Sequence, residues 1–472
     1  MTKNPLSRRQ FAGLAAAASV GAGHLAAAPE RVDTIWSARH VVTMNAERQV
    51  IAGGAVAIRG ERIVAVGSRA DIDSRYTAKQ RLARPDAILL PGLIDTHTHA
   101  PMSLFRGLAD DRRLQEWLEK FIFPAEAKNV DAEFVRWGTR LACLEMVLSG
   151  TTTYTDMYYF EEVIAEATIE AGLRGVLGQT VIGFPVPDAK TPQEGLARTE
   201  RFLEKYRNHP LIVPAPAPHA IYTTADDVIR QARALANKYG VPMLIHLSET
   251  ERENQDSLAQ RQKTPTQALE AMGALEGRTL GAHGIWLTDD DLRILKACGT
   301  GLAHCPSSNA KLASGVAPVP RILAAGIPMG LGTDGFAGSN NDANLFEEMD
   351  LAAKLQKVSS RNPELLPAMQ ALEMATITGA RALGLDKEIG SLEPGKRADL
   401  ITVKLTAPHA TPMYNVVSQL VYALKGSDVN DVMVNGRAIV RDRKVLTLDA
   451  GRILAKAGEY RSKVAASIGM PQ

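Results

Sequence analysis

Pro91-Gly92-Leu93-Ile94-Asp95-Thr96-His97-Thr98-His99 is a short apolar run that ends in two histidines one residue apart. Side chains alternate faces along a strand, so residues i and i+2 point the same way. His97 and His99 can therefore both reach one cation at about 2.0–2.1 Å. Taken alone, the pair reads equally well as two loop histidines. The rest of the chain favours the metal half-site.

Three further runs share the pattern of an apolar strand ending in a polar, reactive side chain. Val241 to Glu249 carries His246 and, three positions on, Glu249; Thr279 to Gly284 ends at His283; Ile327 to Gly335 ends at Asp334 between glycines. Such runs alternate with helical stretches, which is how a parallel α/β barrel presents residues at the carboxyl-terminal ends of its strands. Helical periodicity is clear from Asp131 to Leu148, with Asp131 placed as N-cap and Phe134, Leu141 and Leu144 on one side. Leu114, Trp117, Leu118 and Phe121 form another stripe, read first as core packing.

Together with Ser103-Leu104-Phe105-Arg106-Gly107-Leu108-Ala109-Asp110-Asp111, Ser149-Gly150-Thr151-Thr152-Thr153 and the run from Gly390 to Leu400, these motifs make the chain resemble the amidohydrolase superfamily. Within it the chain is most similar to the branch of zinc deaminases acting on S-adenosylhomocysteine and 5′-methylthioadenosine. The resemblance spans Val32 to about Asp449 and implies a (β/α)8 TIM-like barrel, class α/β, with a small β-sandwich domain built from both chain ends. The expected division is a small β domain from 29–90 and 396–450, a hydrolase barrel from 91–395, and a C-terminal helix or tail from 451–472. The β domain is also visible in short β-like runs at 41–44, 54–58, 62–66, 399–403, 432–436 and 444–446, with Val434-Asn435-Gly436-Arg437 as a hairpin signal.

The resemblance also implies site roles. One zinc per subunit, or Fe2+ or another divalent metal, is expected on His97, His99, His246 and Asp334, with Asp334 also taking the proton of the nucleophilic water. Binuclear relatives carry a lysine at the end of the fourth strand; Ala217-Pro218-His219-Ala220 offers none, which favours a single metal. His219 is assigned to substrate binding. Glu249 is the proton shuttle and a substrate contact, and His283 is an electrostatic partner near Asp334, with a purely structural histidine as the alternative. Glu126 is placed on the ribose hydroxyls, and Trp117 either against the nucleoside or in the core. His304 is expected to shape the site. Relatives that take the homocysteine tail can carry arginines for its carboxylate after the second and third barrel strands; Gln179 stands at such a position without a charge, which favours methylthioadenosine, 5′-deoxyadenosine or adenosine. The expected reaction is hydrolytic deamination of an adenine nucleoside. Hydrolysis of a triazine or deamination of a free base is the rival within enzymes, and a non-catalytic zinc-holding protein the rival outside them.

With 472 residues, 45% hydrophobic and 22% charged, the chain is ordinary globular material, and a formal charge of +2 gives no nucleic-acid footprint. The partners expected are a small nucleoside or aminated heterocycle, with a homo-oligomer implied by resemblance. Cys143, Cys298 and Cys305 form no Cys-x-x-Cys unit and no disulfide framework. Ser7-Arg8-Arg9-Gln10-Phe11 followed by an alanine-rich run to Ala28 resembles a twin-arginine signal over 1–28, so export to the periplasm is expected, with no stable membrane insertion after its removal.

Overall fold

The computed structural model describes Met1 and residues 29–468; the expected signal segment lies outside the described residues. Eight parallel strands form the central barrel: Leu93–His99, Thr151–Tyr158, Arg174–Val181, Ile212–Pro218, Met243–Leu247, Thr279–His283, Gly301–His304, and Met329–Leu331 with a short continuation at Asp334–Gly335. Numbered in that order, their hydrogen-bonded sequence is 5-6-7-8-1-2-3-4. The ring closes at the functional end, where the His246 N–H donates to the His219 carbonyl at 3.0 Å. Small and branched side chains fill the barrel, among them Ile94, Val176, Ala215, Ala217, Leu244, Leu280 and Ala303. Gly332 permits the close approach of strand 8 to strand 1: a Cβ there would lie 2.9 Å from the Cβ and backbone nitrogen of His97.

The second domain takes strands from both chain ends into one nine-stranded sheet. Glu30–Val42 pairs in parallel with Tyr76–Pro91, which pairs antiparallel with Leu400–Lys404, so the ends of the chain are stitched side by side. The sandwich is a single sheet wrapped on itself: the edge strand Arg62–Ser68 returns to bond the segment before Leu400, Ile63 N–H to the Lys396 carbonyl at 2.9 Å and Gly395 N–H to the Ile63 carbonyl at 2.8 Å. Trp36, Val56, Ile58, Leu82, Leu89 and Met433 pack on the enclosed face. The Asn435-Gly436 turn has positive φ at both residues, 48° and 72°, as a tight hairpin requires. Arg174 fastens this domain to the barrel: its guanidinium donates to Asp399 at 3.0 Å and to Asn435 at 2.7 Å, and both charged partners are buried.

Beside the barrel mouth, Leu114–Glu116, Trp117–Ile122 and Phe123–Asn129 form one interrupted helix whose middle is a wide π-helical turn. Pro124 explains the interruption, since it has no N–H to give and its ring would collide with a carbonyl of the preceding turn. The C-terminal helix Ala450–Ile468 packs behind it, with Tyr460 edge-on to Phe134 and the Ser467 carbonyl accepting from Lys128.

Candidate metal centre

Strand 1 ends at His97 and His99, strand 5 carries His246, strand 6 ends at His283, and Asp334 follows strand 8. Their donor atoms converge. Ligand atoms of His97, His99 and Asp334 lie within 4.8 Å of one another, as do those of His97, His246 and His283. Asp334 Oδ1 is 3.4 Å from His97 Nε2 and 3.3 Å from His99 Nε2. His283 and Asp334 hold this geometry with positive φ, 76° and 63°, a strained conformation for non-glycine residues that recurs at functional positions.

On three of the histidines the ring nitrogen facing away from the centre is tied. His99 Nδ1 pairs with the Met157 carbonyl at 2.6 Å, His246 Nδ1 with the His219 carbonyl at 2.9 Å, and His283 Nδ1 with Asn309 Oδ1 at 3.0 Å. Each pairing leaves Nε2 to face inward, the usual outer support of a metal-ligating histidine. Ser308 donates to Asp334 Oδ2 at 2.6 Å, leaving Oδ1 toward the imidazoles. The test of fit to a cation is His97: its Nε2 is buried and has no hydrogen-bond partner, although it lies among the donors of His99, His246, His283 and Asp334. Burial pushes His97 down to about 4 and His246 well below the usual histidine range, so both rings are neutral and ready to ligate. Burial works against charge on Asp334 too, but its contacts with His97 and His99 hold it well below the usual carboxylate range. Burial works against charge on His99 as well, but its contact with Asp334 raises it to about 9, so a cation there displaces the Nε2 proton of that ring. Imidazoles and one ionised carboxylate, with no thiolate among them, form a donor set that suits zinc.

A cleft with about 620 Å³ of empty space opens above these residues. His219 lines it immediately after strand 4, its Nδ1 fixed by Thr223 at 2.9 Å and its charge suppressed by burial, to about 3. Glu249 is buried, and its Oε2 lies 3.9 Å from His283 Nε2. Burial and the Asp334 charge raise its pKa, against the opposing pull of His283. Trp117 is buried, lines the cleft, and is fixed by its Nε1 donating to the Ala337 carbonyl at 2.7 Å. Glu126 is reached from the same cleft, accepts from the Tyr158 hydroxyl at 2.6 Å, and is raised by burial to about 7.

Two expectations shift. His283 bonds Asn309 and not Asp334, because the helix after strand 7, Pro306–Lys311, puts Ser308 on one residue and Asn309 on the other. His304 is buried behind the site and does not line the cleft. The sequence reading also passed over Asp95, Glu253 and Tyr158. Asp95 accepts from the N–H groups of His97 and Thr333 and from the Thr333 hydroxyl, tying strand 1 to strand 8 at the level of the ligands. Glu253 accepts from the N–H groups of Ser248 and Glu249, fixing the turn that aims Glu249; the signal was Thr250-x-x-Glu253, a capping-box pattern.

Residues 88–439 match the model described as the amidohydrolase family. The chain is 44% identical over 442 residues to a 5-methylthioadenosine/S-adenosylhomocysteine deaminase of Syntrophus aciditrophicus, covering 94% of this chain and all of that one. It is 42% identical over 364 residues to a 5′-deoxyadenosine deaminase of Methanosphaera stadtmanae, covering 77% of this chain and 84% of that one. A solved adenosine deaminase from Xanthomonas campestris with bound zinc superposes with a TM-score of 0.91 at 38% identity, over 93% of this chain and 100% of that one. On the family match and the extent of these likenesses, the chain belongs to the amidohydrolase family.

Proposed function

We propose that the protein is a zinc-dependent aminohydrolase that converts an adenine nucleoside, such as 5′-methylthioadenosine, 5′-deoxyadenosine or adenosine, to the inosine-type product and ammonia. The observation that carries this reading is the pairing of Glu249 and His283 at 3.9 Å beside the metal-ligand cluster, at one end of a cleft whose lining also includes Glu126. Relatives named as deaminases of such nucleosides, matched over nearly the whole chain, support it.

His97, His99, His246 and Asp334 would hold the zinc, with His283 close enough to touch the same centre. When bound, zinc supplies Lewis acidity that makes a water nucleophilic near neutral pH. The chain's own groups do the rest. Asp334 Oδ1, fixed by the Ser308 bond to Oδ2, accepts a proton from the attacking water. Glu249, whose burial favours its protonated form, delivers a proton to the purine ring nitrogen beside the carbon under attack. Glu249, now the carboxylate, takes the remaining proton of the added oxygen and hands it to the exocyclic amine; the C–N bond breaks as the C=O bond forms, ammonia leaves, and the proton held by Asp334 restores Glu249, so one water is consumed for each ammonia released. His283, tied to Asn309 at Nδ1, presents Nε2 to the charge developing on the added oxygen. Glu126 accepts the ribose hydroxyls, and His219 and Trp117 hold the nucleoside in the cleft.

The experiment is ammonia release from these nucleosides by the zinc-loaded protein; chloride release from chlorotriazines without any nucleoside turnover would replace this reading by the rival one. We further propose that residues 1–28 direct export to the periplasm.

A further inference from the structure

Glu126 stands at a junction. It lines the main cleft on one side, and on the other a second cavity formed by Phe123, Ala127, Tyr159 and the loop Phe184-Pro185-Val186-Pro187. Among the described residues, Glu126 is the only charged one lining that second cavity, and none of those lining it is cationic. Lys190, three residues past Pro187, is exposed and does not line the cavity, and two other cations of the flanking helices are engaged. Lys128 donates to the Ser467 carbonyl, and Arg198 is held by Asp188, 3.5 Å from its carboxylate and bonded to its main-chain oxygen.

The loop is built as a fixed wall. Gly183 N–H donates to the Thr223 carbonyl at 2.7 Å, and Val186 and Ala189 exchange backbone bonds at 2.9 and 3.2 Å. Asp188 then accepts from the Phe160 N–H at 2.8 Å and from Gln179 Nε2 at 2.9 Å. Gln179 is fully buried and absent from both cavities, and through Asp188 it anchors this loop. Phe184 stacks edge-on against Phe123 at 5.3 Å while remaining 36% exposed, an aromatic surface left open beside a binding cleft.

We propose that this cavity receives the 5′ substituent of the nucleoside and selects an uncharged thioether or alkyl group over a 5′-hydroxyl and over a zwitterionic amino-acid tail. The inference rests on the deaminase reading above and on Glu126 as the ribose ligand. With the ribose on Glu126 and the base toward Glu249, the 5′ carbon is directed at the Phe184 loop. A methylthio group there trades water for aromatic and prolyl surface. A 5′-hydroxyl loses its water with no donor or acceptor in the loop side chains to replace it, and a homocysteine carboxylate meets the Glu126 acid with no cation to offset it.

The test compares kcat/KM for 5′-methylthioadenosine, adenosine and S-adenosylhomocysteine in the zinc-loaded protein and in Phe184→Ala and Phe184→Arg, with Val186→Ala as a second change on the wall. The expected result is a preference for the methylthio nucleoside of about tenfold or more over both others, the scale of one apolar group in a hydrophobic pocket. Phe184→Ala should cut the methylthioadenosine-to-adenosine ratio about tenfold, with a smaller cut in Val186→Ala. Phe184→Arg should raise S-adenosylhomocysteine relative to methylthioadenosine by a similar factor. Equal use of all three nucleosides by the unmodified protein, or ratios that none of the variants moves, overturns the subsite while leaving the deaminase in place. Failure to release ammonia from any adenine nucleoside overturns the reaction itself and the subsite with it.

Discussion

Glu249→Gln removes one ionisable proton and almost nothing else. The amide has the volume of the acid, so no cavity opens. The turn that carries residue 249 is held by Glu253 through the backbone N–H groups of Ser248 and Glu249, at 3.3 and 2.7 Å, and these bonds do not involve the substituted side chain. The donor cluster is left in place, since Glu249 approaches it at His283, 3.9 Å away. A positioned general acid–base group contributes about 10²–10⁴ in rate. Because Glu249 serves both the ring nitrogen and the leaving amine, the loss in kcat should fall in the upper half of that range, about 10³–10⁴, or about 4–5.5 kcal/mol of transition-state stabilisation. Steady-state ammonia release gives kcat, metal analysis gives zinc per chain, and titration with the inosine-type product gives ground-state affinity. The expected pattern is full zinc and near-unchanged product affinity with kcat lost. A variant that keeps kcat within about tenfold of the parent, less than a general acid–base group contributes, would refute the proton-shuttle assignment.

Glu126 must be ionised to accept a ribose diol, and burial raises it to about 7, so the folded site favours the protonated form below that value. KM for ribosides should therefore fall as pH rises through about 7, and Glu126→Gln should flatten this dependence; the same pH trend in the variant would exclude Glu126 as its source. Asp95→Asn replaces one of the two acceptor oxygens that join His97 to Thr333, and zinc affinity measured by chelator competition should weaken about 10–100-fold, as expected for a lost outer-shell contact; unchanged affinity would make Asp95 structural only. Arg174→Ala strands the buried Asp399 charge at the joint between the domains and should cost about 3–5 kcal/mol in denaturant unfolding, whereas a cost under about 1 kcal/mol would show that solvent reaches Asp399. Replacing Arg8 and Arg9 together by lysine should leave the protein in the cytoplasm of an exporting bacterium, and periplasmic recovery of the variant would remove the twin-arginine reading.

The convergence of the candidate donors was legible because a strand's two-residue alternation puts His97 and His99 on one side, and because His246, His283 and Asp334 each close or follow their own apolar run. The barrel was legible for the same reason. What escaped depends on contacts distant in sequence. Asp95 sits inside an apolar run where a buried carboxylate has no local signal, and its partner Thr333 arrives from strand 8. Asn309 and Ser308 reach His283 and Asp334 only once strand 7 lies between strands 6 and 8. The strand Tyr76–Pro91 was hidden by Lys79, Arg81, Arg84 and Asp86, whose charges interrupt the apolar alternation; its long pairing with Glu30–Val42 provides the missing order. Trp117, on its helical stripe, read as either a core residue or a nucleoside contact, and it lies in the wide turn before Pro124, buried and lining the cleft.

The central claim is hydrolytic deamination of an adenine nucleoside at the His97, His99, His246 and Asp334 centre. Its most direct test is ammonia and chloride release by the zinc-loaded protein across methylthioadenosine, 5′-deoxyadenosine, adenosine, S-adenosylhomocysteine, guanine, cytosine and chlorotriazines. Ammonia from the adenine nucleosides, with formation of the inosine-type chromophore, is the predicted result. Chloride from triazines, or ammonia from free bases alone, would contradict it.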